Sequence, residues 1–422
     1  MERTGSEPAT VAIIGAGNRG ADVYAEALGR RPDAVRIVAV ADPDPARRDR
    51  LADRHEVPES GRFDGWASLL ARPALADAVV IATPDALHLG PAREALARGY
   101  HLLLEKPIAP TLDEVRALAA AAADAPGTVT VAHVLRYAPF FQALADVIRG
   151  GRIGALVGIQ HTENVGHWHF AHSYVRGNWR READAAPMIL AKACHDLDLL
   201  RWWVGRPCRS VASFGDRRRF RREHEPEGAT DRCTDGCAVE RSCPYSALRI
   251  YQERFAGERG WPVSVVSDDP SPTGVRRALE TGPYGRCVYR CDNDVADHQV
   301  AILEFEGGVT ANLTVSAFTE ENTRTVHLMG DRGEAIGHLG LGEIEVREFV
   351  SGERVTLRVG SGEDGHGGGD DALVDDFVAR LRGERTGPAA SSLEASIESH
   401  TMAFAAERSR REGRVVSLAS LG

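Results

Sequence analysis

The chain has 422 residues, enough for two sizeable domains with a buried core. Hydrophobic residues make up 43% and charged residues 27%, which is ordinary for a soluble globular protein. The net charge of −10 argues against general affinity for nucleic acid or anionic membrane, and no apolar run reaches transmembrane length. The start lacks the basic and apolar blocks of a signal peptide, so we expect a cytoplasmic protein with neither nucleic-acid nor membrane partners.

Only two of the 51 basic residues are lysines, Lys106 and Lys192. An arginine guanidinium stays protonated in a protein, whereas burial and nearby charges can tune an ammonium until it exchanges a proton near neutral pH. Lys106 lies in Leu-Leu-Leu-Glu-Lys-Pro, and Lys192 lies three residues before His195. We therefore predict that both lysines contribute to one active site.

The first elements form a dinucleotide-binding pattern. A strand over Thr10–Ile14 leads into a Gly-x-Gly-x-x-Gly loop over Gly15–Gly20, and a helix follows over Ala21–Gly29. A second strand over Val35–Ala41 ends at Asp42. The glycine loop alone is weak evidence for dinucleotide binding. Its place between a strand and a helix, followed by a second strand that ends in an acid, makes the prediction strong. The glycines let the backbone approach a pyrophosphate at the helix N-terminus.

The acid at the end of the second strand bears on which dinucleotide binds. Asp42 lies 22 residues after Gly20, so its carboxylate could accept hydrogen bonds from the adenosine ribose hydroxyls. The same carboxylate would repel a 2′-phosphate. We therefore predict NAD in preference to NADP, although Arg47 and Arg48 leave NADP open.

Further strands and helices continue the pattern to about residue 134. We predict strands over Ala78–Ala82, Tyr100–Leu104 and Thr128–His133, and helices over Leu87–Arg98 and Leu112–Ala123. The strand over Tyr100–Leu104 delivers Glu105-Lys106-Pro107 at its carboxyl end, which is where open parallel sheets bind ligands. Lys106 is therefore expected on the cofactor side of the sheet.

Four motifs follow one another along the chain: Ala12-Ile13-Ile14-Gly15-Ala16-Gly17, Thr83-Pro84-Asp85-Ala86-Leu87-His88, Glu105-Lys106-Pro107 and His195-Asp196-Leu197-Asp198. This ordered set resembles the Gfo/Idh/MocA family of NAD(P)-dependent oxidoreductases. The resemblance covers most of the chain. It implies an α/β fold with an N-terminal doubly wound parallel Rossmann sheet over 1–134. Over 135–422 it implies a C-terminal α/β domain with a large, mostly antiparallel open sheet, through which homodimers or homotetramers form.

The resemblance also implies the cofactor and catalytic residues. The expected NAD-binding residues are Gly15, Gly17, Asn18, Arg19, Gly20, Asp42, Thr83, Pro84, His88, Glu105 and Lys106. The Lys106–Pro107 bond is a candidate for the cis form. Many members carry an aspartate four residues before the histidine that matches His195, but this chain has Ala191 there. On one helix Lys192 and His195 would share a face, so we expect Lys106, Lys192 and His195 to replace the usual lysine, aspartate and histidine.

The chemistry assigns each of the three a role. Oxidation of a secondary alcohol removes a hydride from carbon and a proton from oxygen. We predict His195 as the base, Lys106 as stabiliser or proton partner, and Lys192 as a ligand for a substrate hydroxyl or anionic group. The leading function is an NAD-dependent dehydrogenase of a sugar, an inositol or a derivative. The alternatives are a redox-neutral, NAD-retaining glycosidase or lyase that oxidises a sugar carbon transiently, and a non-catalytic ligand sensor.

An aromatic and histidine-rich cluster follows between Thr162 and Arg181. Flat aromatic faces with interleaved polar donors suit a sugar ring, although a metal site or a core role are alternatives. Asp196 and Asp198 equally suit packing or capping of their helix. The predicted substrate residues are Arg136, Tyr137, His167, Trp168, His169, Tyr174, Arg176, Trp179 and Asp196.

An insert over about 216–292 carries five of the seven cysteines. Cys233-x3-Cys237-x5-Cys243 is followed far downstream by Cys287-x3-Cys291. Clustered thiolates are typical of structural zinc, with iron–sulfur as a second choice, and we predict ligands Cys233, Cys237, Cys243 and Cys291. Reduced packing thiols and a disulfide are the alternatives.

The remaining pattern indicates the second sheet and its last helices. Strands are predicted over Val300–Phe305, Val309–Ala317, Thr325–Met329 and Glu343–Phe349. The segment Gly365-His366-Gly367-Gly368-Gly369-Asp370 is predicted as a loop, with a lid or a plain linker as its role, before a helix over Asp371–Leu381.

Overall fold

The computed structural model describes residues 7–360 and 366–421, so Gly365 of the predicted glycine-rich loop lies outside the described residues. The chain forms two compact units. The first unit takes its residues from Met1–Val157, Cys194–Cys208 and Met329–Phe404. The second unit takes them from Gly158–Ala193, Arg209–Leu328 and Ala405–Gly422. Across the described ranges, no helix has both the length and the apolar character needed to span a bilayer.

Six parallel strands form the first sheet. They are β1 (Ala9–Ile14), β2 (Val35–Ala41), β3 (Arg62–Phe63), β4 (Ala78–Ile81), β5 (His101–Leu104) and β6 (Val129–Val131). Their order is β3-β2-β1-β4-β5-β6, the doubly wound arrangement of a Rossmann sheet. β4 is buried along its whole length, because parallel strands have both faces covered and are therefore continuous apolar runs.

Helices flank these strands. They are a π-helix (Asn18–Ala25), α1 (Glu26–Gly29), α2 (Pro45–Arg54), α3 (Trp66–Leu70), α4 (Leu89–Ala97), α5 (Leu112–Ala123) and α6 (Pro139–Arg149). α5 begins where predicted because the Thr111 hydroxyl accepts the Glu114 backbone N–H at 3.3 Å. Leu96 of α4 and Val115 and Leu118 of α5 pack into the core around the strands.

Nine strands form the second sheet, which is mixed and mostly antiparallel, as expected. They are β7 (Leu156–Asn164), β8 (Cys208–Asp216), β9 (His298–Phe305), β10 (Thr310–Ser316), β11 (Thr323–Gly330), β12 (Gly333–His338), β13 (Glu343–Glu348), β14 (Arg354–Arg358) and β15 (Val416–Ser417). The order is β14-β13-β12-β11-β7-β10-β9-β8-β15. β7 and β10 run parallel, whereas β10 is antiparallel to β9 and β13 is antiparallel to β12 and β14.

The remaining helices are short, apart from the last two. They are α7 (His167–Phe170), a π-helix (Ala171–Arg176), α8 (Met188–Ala191), α9 (Cys194–Val204), a π-helix (Arg249–Arg254), α10 (Val263–Val266), α11 (Pro272–Thr281), α12 (Gly369–Leu381) and α13 (Leu393–Glu412). Short 3₁₀ turns occur at Glu59–Gly61, Asp85–Leu87, Val134–Arg136, Arg222–His224, Glu240–Ser242, Pro283–Gly285, Leu339–Leu341 and Leu418–Leu421.

One element differs from prediction in a way that matters for the site. The premise that Lys192 and His195 stand three residues apart on one helix is wrong. α8 ends at Ala191 and α9 begins at Cys194, and Lys192 occupies the break with φ −101° and ψ −53°. The apolar periodicity continues through this break, so the sequence carried no local signal for it.

Candidate active site

The glycine loop after β1 has a backbone that only glycine accommodates at two positions. Gly15 has φ +97°, and a Cβ there would lie 2.5 Å from the Ala82 carbonyl oxygen. A Cβ on Gly20 would lie 1.8 Å from the Gly15 carbonyl oxygen. A Cβ on Gly17, by contrast, would meet no atom within 4 Å, so this part of the loop is open to an approaching group. The loop therefore fits a pyrophosphate at the start of the first helix.

Asp42 fixes this loop to the end of β2. One carboxylate oxygen accepts the Ala16 backbone N–H at 2.7 Å, and the other accepts the Asp44 backbone N–H at 2.9 Å. The side chain is buried, yet each oxygen keeps a further lone pair for a hydroxyl group. The geometry suits the predicted contact with ribose hydroxyls. The nearby guanidinium of Arg47 is 2.9 Å from Asp44.

The turns after β4 and β5 are joined through His88. Its ring nitrogens lie 3.0 Å from the Thr83 carbonyl oxygen and 2.7 Å from the Pro107 carbonyl oxygen. The Lys106–Pro107 peptide bond is cis, as the sequence suggested. These contacts bring predicted cofactor residues from two strands to the carboxyl edge of the sheet.

Arg19, Glu105 and Asp370 form an ion-pair network in the first unit. Arg19 donates to Asp370 Oδ1 at 2.6 Å and to Glu105, and the Tyr24 hydroxyl donates to Glu105 at 2.5 Å. Burial alone would raise the pKa of Glu105, but Arg19 and Lys106 hold it below its usual range. The Arg19 guanidinium is thus committed to two carboxylates. Its backbone, rather than its side chain, is the part that belongs to the glycine loop.

Lys106 lies at the end of β5, among buried histidines and α9. Burial, followed by the charges of Arg136 and Lys106, lowers the pKa of His133 well below the usual range. The Lys106 charge also opposes the effect of burial on Cys194, whose pKa rises to about 12. Burial, with His133 beside it, lowers the pKa of His400 to about 3. His133 and His400 are therefore neutral at physiological pH.

His195 is the second residue of α9 and lies between two other histidines. Its ring centroid is 5.6 Å from that of His133 and 5.7 Å from that of His366. His366 Nδ1 lies 2.8 Å from Asp370 Oδ2, and its side chain is 27% exposed, whereas His195 is 3% exposed. The rings of His133, His195 and His366 therefore follow one another from a buried position near Lys106 to a partly exposed imidazole that has a carboxylate partner.

Arg136, predicted to bind substrate, is instead engaged inside the first unit. Its guanidinium donates to both oxygens of Asp198, at 2.5 and 2.8 Å, and to the Ala390 carbonyl oxygen at 2.7 Å. All three nitrogens of the guanidinium are used by these contacts. Tyr137 donates to Asp376 at 3.3 Å, and burial raises its pKa to about 12. Asp196 is completely buried.

Lys192 lies in the second unit and has a carboxylate partner that the sequence did not reveal. Its ammonium is 3.2 Å from Glu163 Oε1, and the Arg324 guanidinium is 2.7 Å from Glu163 Oε2. Glu163 is a buried residue of β7. One carboxylate therefore holds two cations, which fixes the position of the lysine.

The aromatic cluster also belongs to the second unit, and much of it is interior. Trp168, Tyr174 and Arg176 are buried. The Trp168 ring packs against Phe255 at 4.7 Å and Trp261 at 5.5 Å between centroids. The predicted substrate residues of this cluster that keep partial exposure are His167, His169 and Trp179.

The predicted structural metal site is not supported. Within residues 7–360 and 366–421, no three or more His, Cys, Asp or Glu side chains are arranged to hold a metal ion. All seven cysteines are free thiols, which also contradicts the disulfide alternative. Two of the predicted ligands have other contacts: the Cys291 thiol donates to the Cys287 carbonyl oxygen at 3.3 Å, and Cys233 Sγ accepts the Ala247 N–H at 3.3 Å. Burial raises the pKa of Cys287 to about 11, so it stays protonated.

Four residues that sequence reasoning missed belong to these arrangements: His133, Glu163, His366 and Asp370. His366 and Asp370 had a local signal, because a histidine and an aspartate four residues apart can meet at the start of a helix. Glu163 had none, since its partners are 29 and 161 residues away in the chain.

Comparison with known proteins bears on both parts of the chain. Residues 9–133 match the model of an oxidoreductase family with an NAD-binding Rossmann fold, and residues 145–418 match its C-terminal alpha/beta domain. The chain is 24% identical over 369 residues to the oxidoreductase YteT of Bacillus subtilis, which covers 81% of each.

Two further relatives have sugar or inositol names. An inositol 2-dehydrogenase of Rubrobacter xylanophilus is 33% identical over 211 residues, covering 48% of this chain and 54% of that enzyme. A levoglucosan dehydrogenase solved with NADH and levoglucosan has a TM-score of 0.71 at 18% identity, over 97% of this chain and 99% of that one. At that identity the structural likeness shows the fold alone.

Proposed function

Because the chain belongs to the Gfo/Idh/MocA oxidoreductase family, we propose that it is an NAD-dependent dehydrogenase acting on a secondary alcohol of a sugar, an inositol or a derivative. The proposal rests on one observation: the glycine loop, held by Asp42, lies in the same compact unit as Lys106 and His195. The inositol 2-dehydrogenase, 33% identical over about half of this chain, supports the substrate class. Asp42 favours NAD over NADP, since its carboxylate would repel a 2′-phosphate.

The chain's own residues divide the work of alcohol oxidation. When bound, NAD⁺ accepts the hydride from the substrate carbon. Lys106 stabilises the developing negative charge on the substrate oxygen, and His195 removes the hydroxyl proton. Lys192, held by Glu163 in the second unit, stays a predicted ligand for a hydroxyl or an anionic group.

His366 extends the proton path beyond what the sequence indicated. His133 and His400 are held neutral, so neither is suited to receive a proton from His195. His366 has a carboxylate, Asp370, at 2.8 Å to stabilise its imidazolium, and it reaches solvent. We therefore include in the proposal that the proton passes from His195 to His366 and on to water.

The first experiment is to denature the purified protein, assay the released nicotinamide, and then follow NADH across a panel of free sugars, inositols and glycosides. Stoichiometric NADH with a free sugar or polyol supports the proposal. Tightly held NAD, no net NADH and disappearance of a glycoside would overturn it in favour of the redox-neutral reaction, for which the comparisons give no specific support.

Variants then test the residues. Lys106→Ala and His195→Ala are expected to lower kcat by about 100-fold or more while NAD still binds. His366→Asn is expected to lower kcat and change its pH profile without changing the affinity for NAD. His101→Asn is the matched control, because His101 begins β5, whose other end leads to Lys106, and its ring Nδ1 lies 2.9 Å from the Thr128 hydroxyl. Near-normal turnover of the first two variants would refute the assigned roles.

A further inference from the structure

The second unit contains an arginine-lined pocket outside the residues assigned above to catalysis. Its volume is about 490 Å³. Four of its lining side chains are guanidinium groups, and the described lining includes no carboxylate: they are Arg176, Arg180, Arg232 and Arg286. We call this set the arginine pocket. In a chain whose net charge is −10, four guanidinium groups around one cavity are a local concentration of positive charge.

The positive charge of the arginine pocket is only partly neutralised. Arg180 and Arg286 share a single carboxylate, Asp292, at 2.9 and 3.0 Å. Arg232 donates only to backbone carbonyl oxygens, including that of Leu279 at 3.0 Å. Among the described residues, Asp292 therefore pairs with two of the four guanidinium groups, and Asp184 adds a more distant negative charge near Arg180. Arg232 and Arg286 also oppose each other in an isolated antiparallel bridge.

An unpaired charge is most unfavourable at Arg176, because this arginine of the pocket is buried. It is 1% exposed, and it donates to the carbonyl oxygens of Arg286 and Tyr245, both at 2.8 Å. Its Nη1 has no hydrogen-bond partner among the described residues. Its Nη2 donates to Cys233 Sγ at 3.8 Å, and burial raises the pKa of the Cys243 and Cys291 thiols. No carboxylate among the described residues pairs with this guanidinium, and a buried charge without an ionic partner is unfavourable.

The remaining lining favours a small ligand with one anionic group. Tyr284 lies on the pocket wall with its ring stacked on His172 at 4.8 Å between centroids. Burial raises the pKa of Tyr284 to about 12, so its hydroxyl stays a donor. Planar guanidinium forks match the oxygens of a carboxylate or a phosphate.

We propose that the arginine pocket binds the carboxylate or phosphate group of a small anionic molecule. The inference concerns binding in the second unit and does not depend on the dehydrogenase reaction. Carboxylate and phosphate share the recognition chemistry, and separate probes distinguish them.

The test is isothermal titration calorimetry of the full chain with inorganic phosphate, with acetate, and with acetamide as the neutral control. We expect phosphate, acetate or both to bind, acetamide not to bind, and affinity to fall as salt is raised. Arg180→Gln and Arg286→Gln should each weaken binding by about tenfold, as expected for the loss of a charge-assisted contact. Arg276→Gln is the matched control, since this α11 arginine pairs with Glu280 at the surface.

Asp292→Asn separates ligand binding from a structural role of the arginines. Removing the shared carboxylate should release Arg180 and Arg286 and strengthen anion binding, the opposite direction to the arginine variants. If the arginines only stabilised the fold, each of these substitutions would weaken anion binding or leave it unchanged. No binding of either anion, or equal binding by wild type, Arg180→Gln and Arg286→Gln, overturns the proposal. Binding of one anion alone supports it and identifies the group.

Discussion

Asp370 and Asp371 are adjacent residues of α12, and we predict that the same substitution has different effects at the two. Asp370 is 6% exposed and lies 2.6 Å from Arg19 and 2.8 Å from His366. The side chain of Asp371 is 48% exposed and pairs with Arg30 and Arg31 at the surface. Asp370→Asn should therefore destabilise the protein, and Asp371→Asn serves as the control.

The magnitude follows from the contacts. A hydrogen bond to a charged group contributes about 1.5–3 kcal/mol, and Asp370 accepts two of them. Asparagine keeps one acceptor oxygen, and Arg19 keeps Glu105, so part of this is retained. We expect the free energy of unfolding to fall by about 3 kcal/mol for Asp370→Asn. Asp371→Asn should lower it by at most about 1 kcal/mol, as for an exposed pair.

The pH dependence has a definite sign. Although burial alone would raise the pKa of Asp370, Arg19 and His366 hold it well below its usual range. A depressed folded-state pKa stabilises the protein above the unfolded-state pKa of about 3.9, and the contribution is lost as the pH falls through the lower folded value. Titration of Asp370 should therefore not change the difference in free energy of unfolding between wild type and Asp370→Asn from about pH 8 to about pH 5.

The assay is urea unfolding followed by fluorescence for wild type and both variants across that pH range. Equal effects of the two substitutions would refute the assignment of a buried network around Asp370. A difference that disappeared on going from neutral pH to about pH 5 would refute the depressed pKa.

Two further predictions concern other parts of the chain. Gly20→Ala should abolish measurable NAD binding in a fluorescence titration, because its Cβ would lie 1.8 Å from the Gly15 carbonyl oxygen; unchanged affinity would contradict the loop geometry. Glu163→Gln should lower the free energy of unfolding by about 3 kcal/mol, because it leaves Lys192 and Arg324 close together without their shared charge. Urea unfolding measures this, and a loss no larger than that of an exposed pair would count against the buried pairing.

Most of the fold could be predicted because its signals are local. β2 and α5 have the bounds that their sequence patterns predicted, β1, β4, β5 and β6 differ by one or two residues at their ends, and the two-residue β3 was not predicted. Parallel strands covered on both faces are continuous apolar runs, and a threonine cap marks the start of α5. The break at Lys192 had no such signal, and the contact at that point is a carboxylate on β7, 29 residues earlier in the chain.

The site was predictable where one strand end delivers the residue, and not where two distant segments meet. Lys106 and Asp42 follow from the rule that ligands bind at the carboxyl ends of parallel strands. The partner of Arg19 at Asp370 is 351 residues away, and the partner of Arg136 at Asp198 is 62 residues away. A sequence pattern shows that a guanidinium is present but not which carboxylate it meets, so Arg19 and Arg136 were expected to contact ligands.

Those two arginines explain why the unit places a lysine, rather than a third arginine, at the end of β5. Arg19 holds Glu105 and Asp370, and Arg136 holds Asp198, so permanent cations serve where a fixed charge is needed. Under the proposed function, Lys106 stabilises the developing charge on the substrate oxygen with a compact ammonium, whose position a larger, planar guanidinium does not reproduce. Lys106→Arg should therefore preserve the fold and NAD binding yet fail to restore turnover lost in Lys106→Ala. Turnover restored by arginine would show that Lys106 contributes only a positive charge.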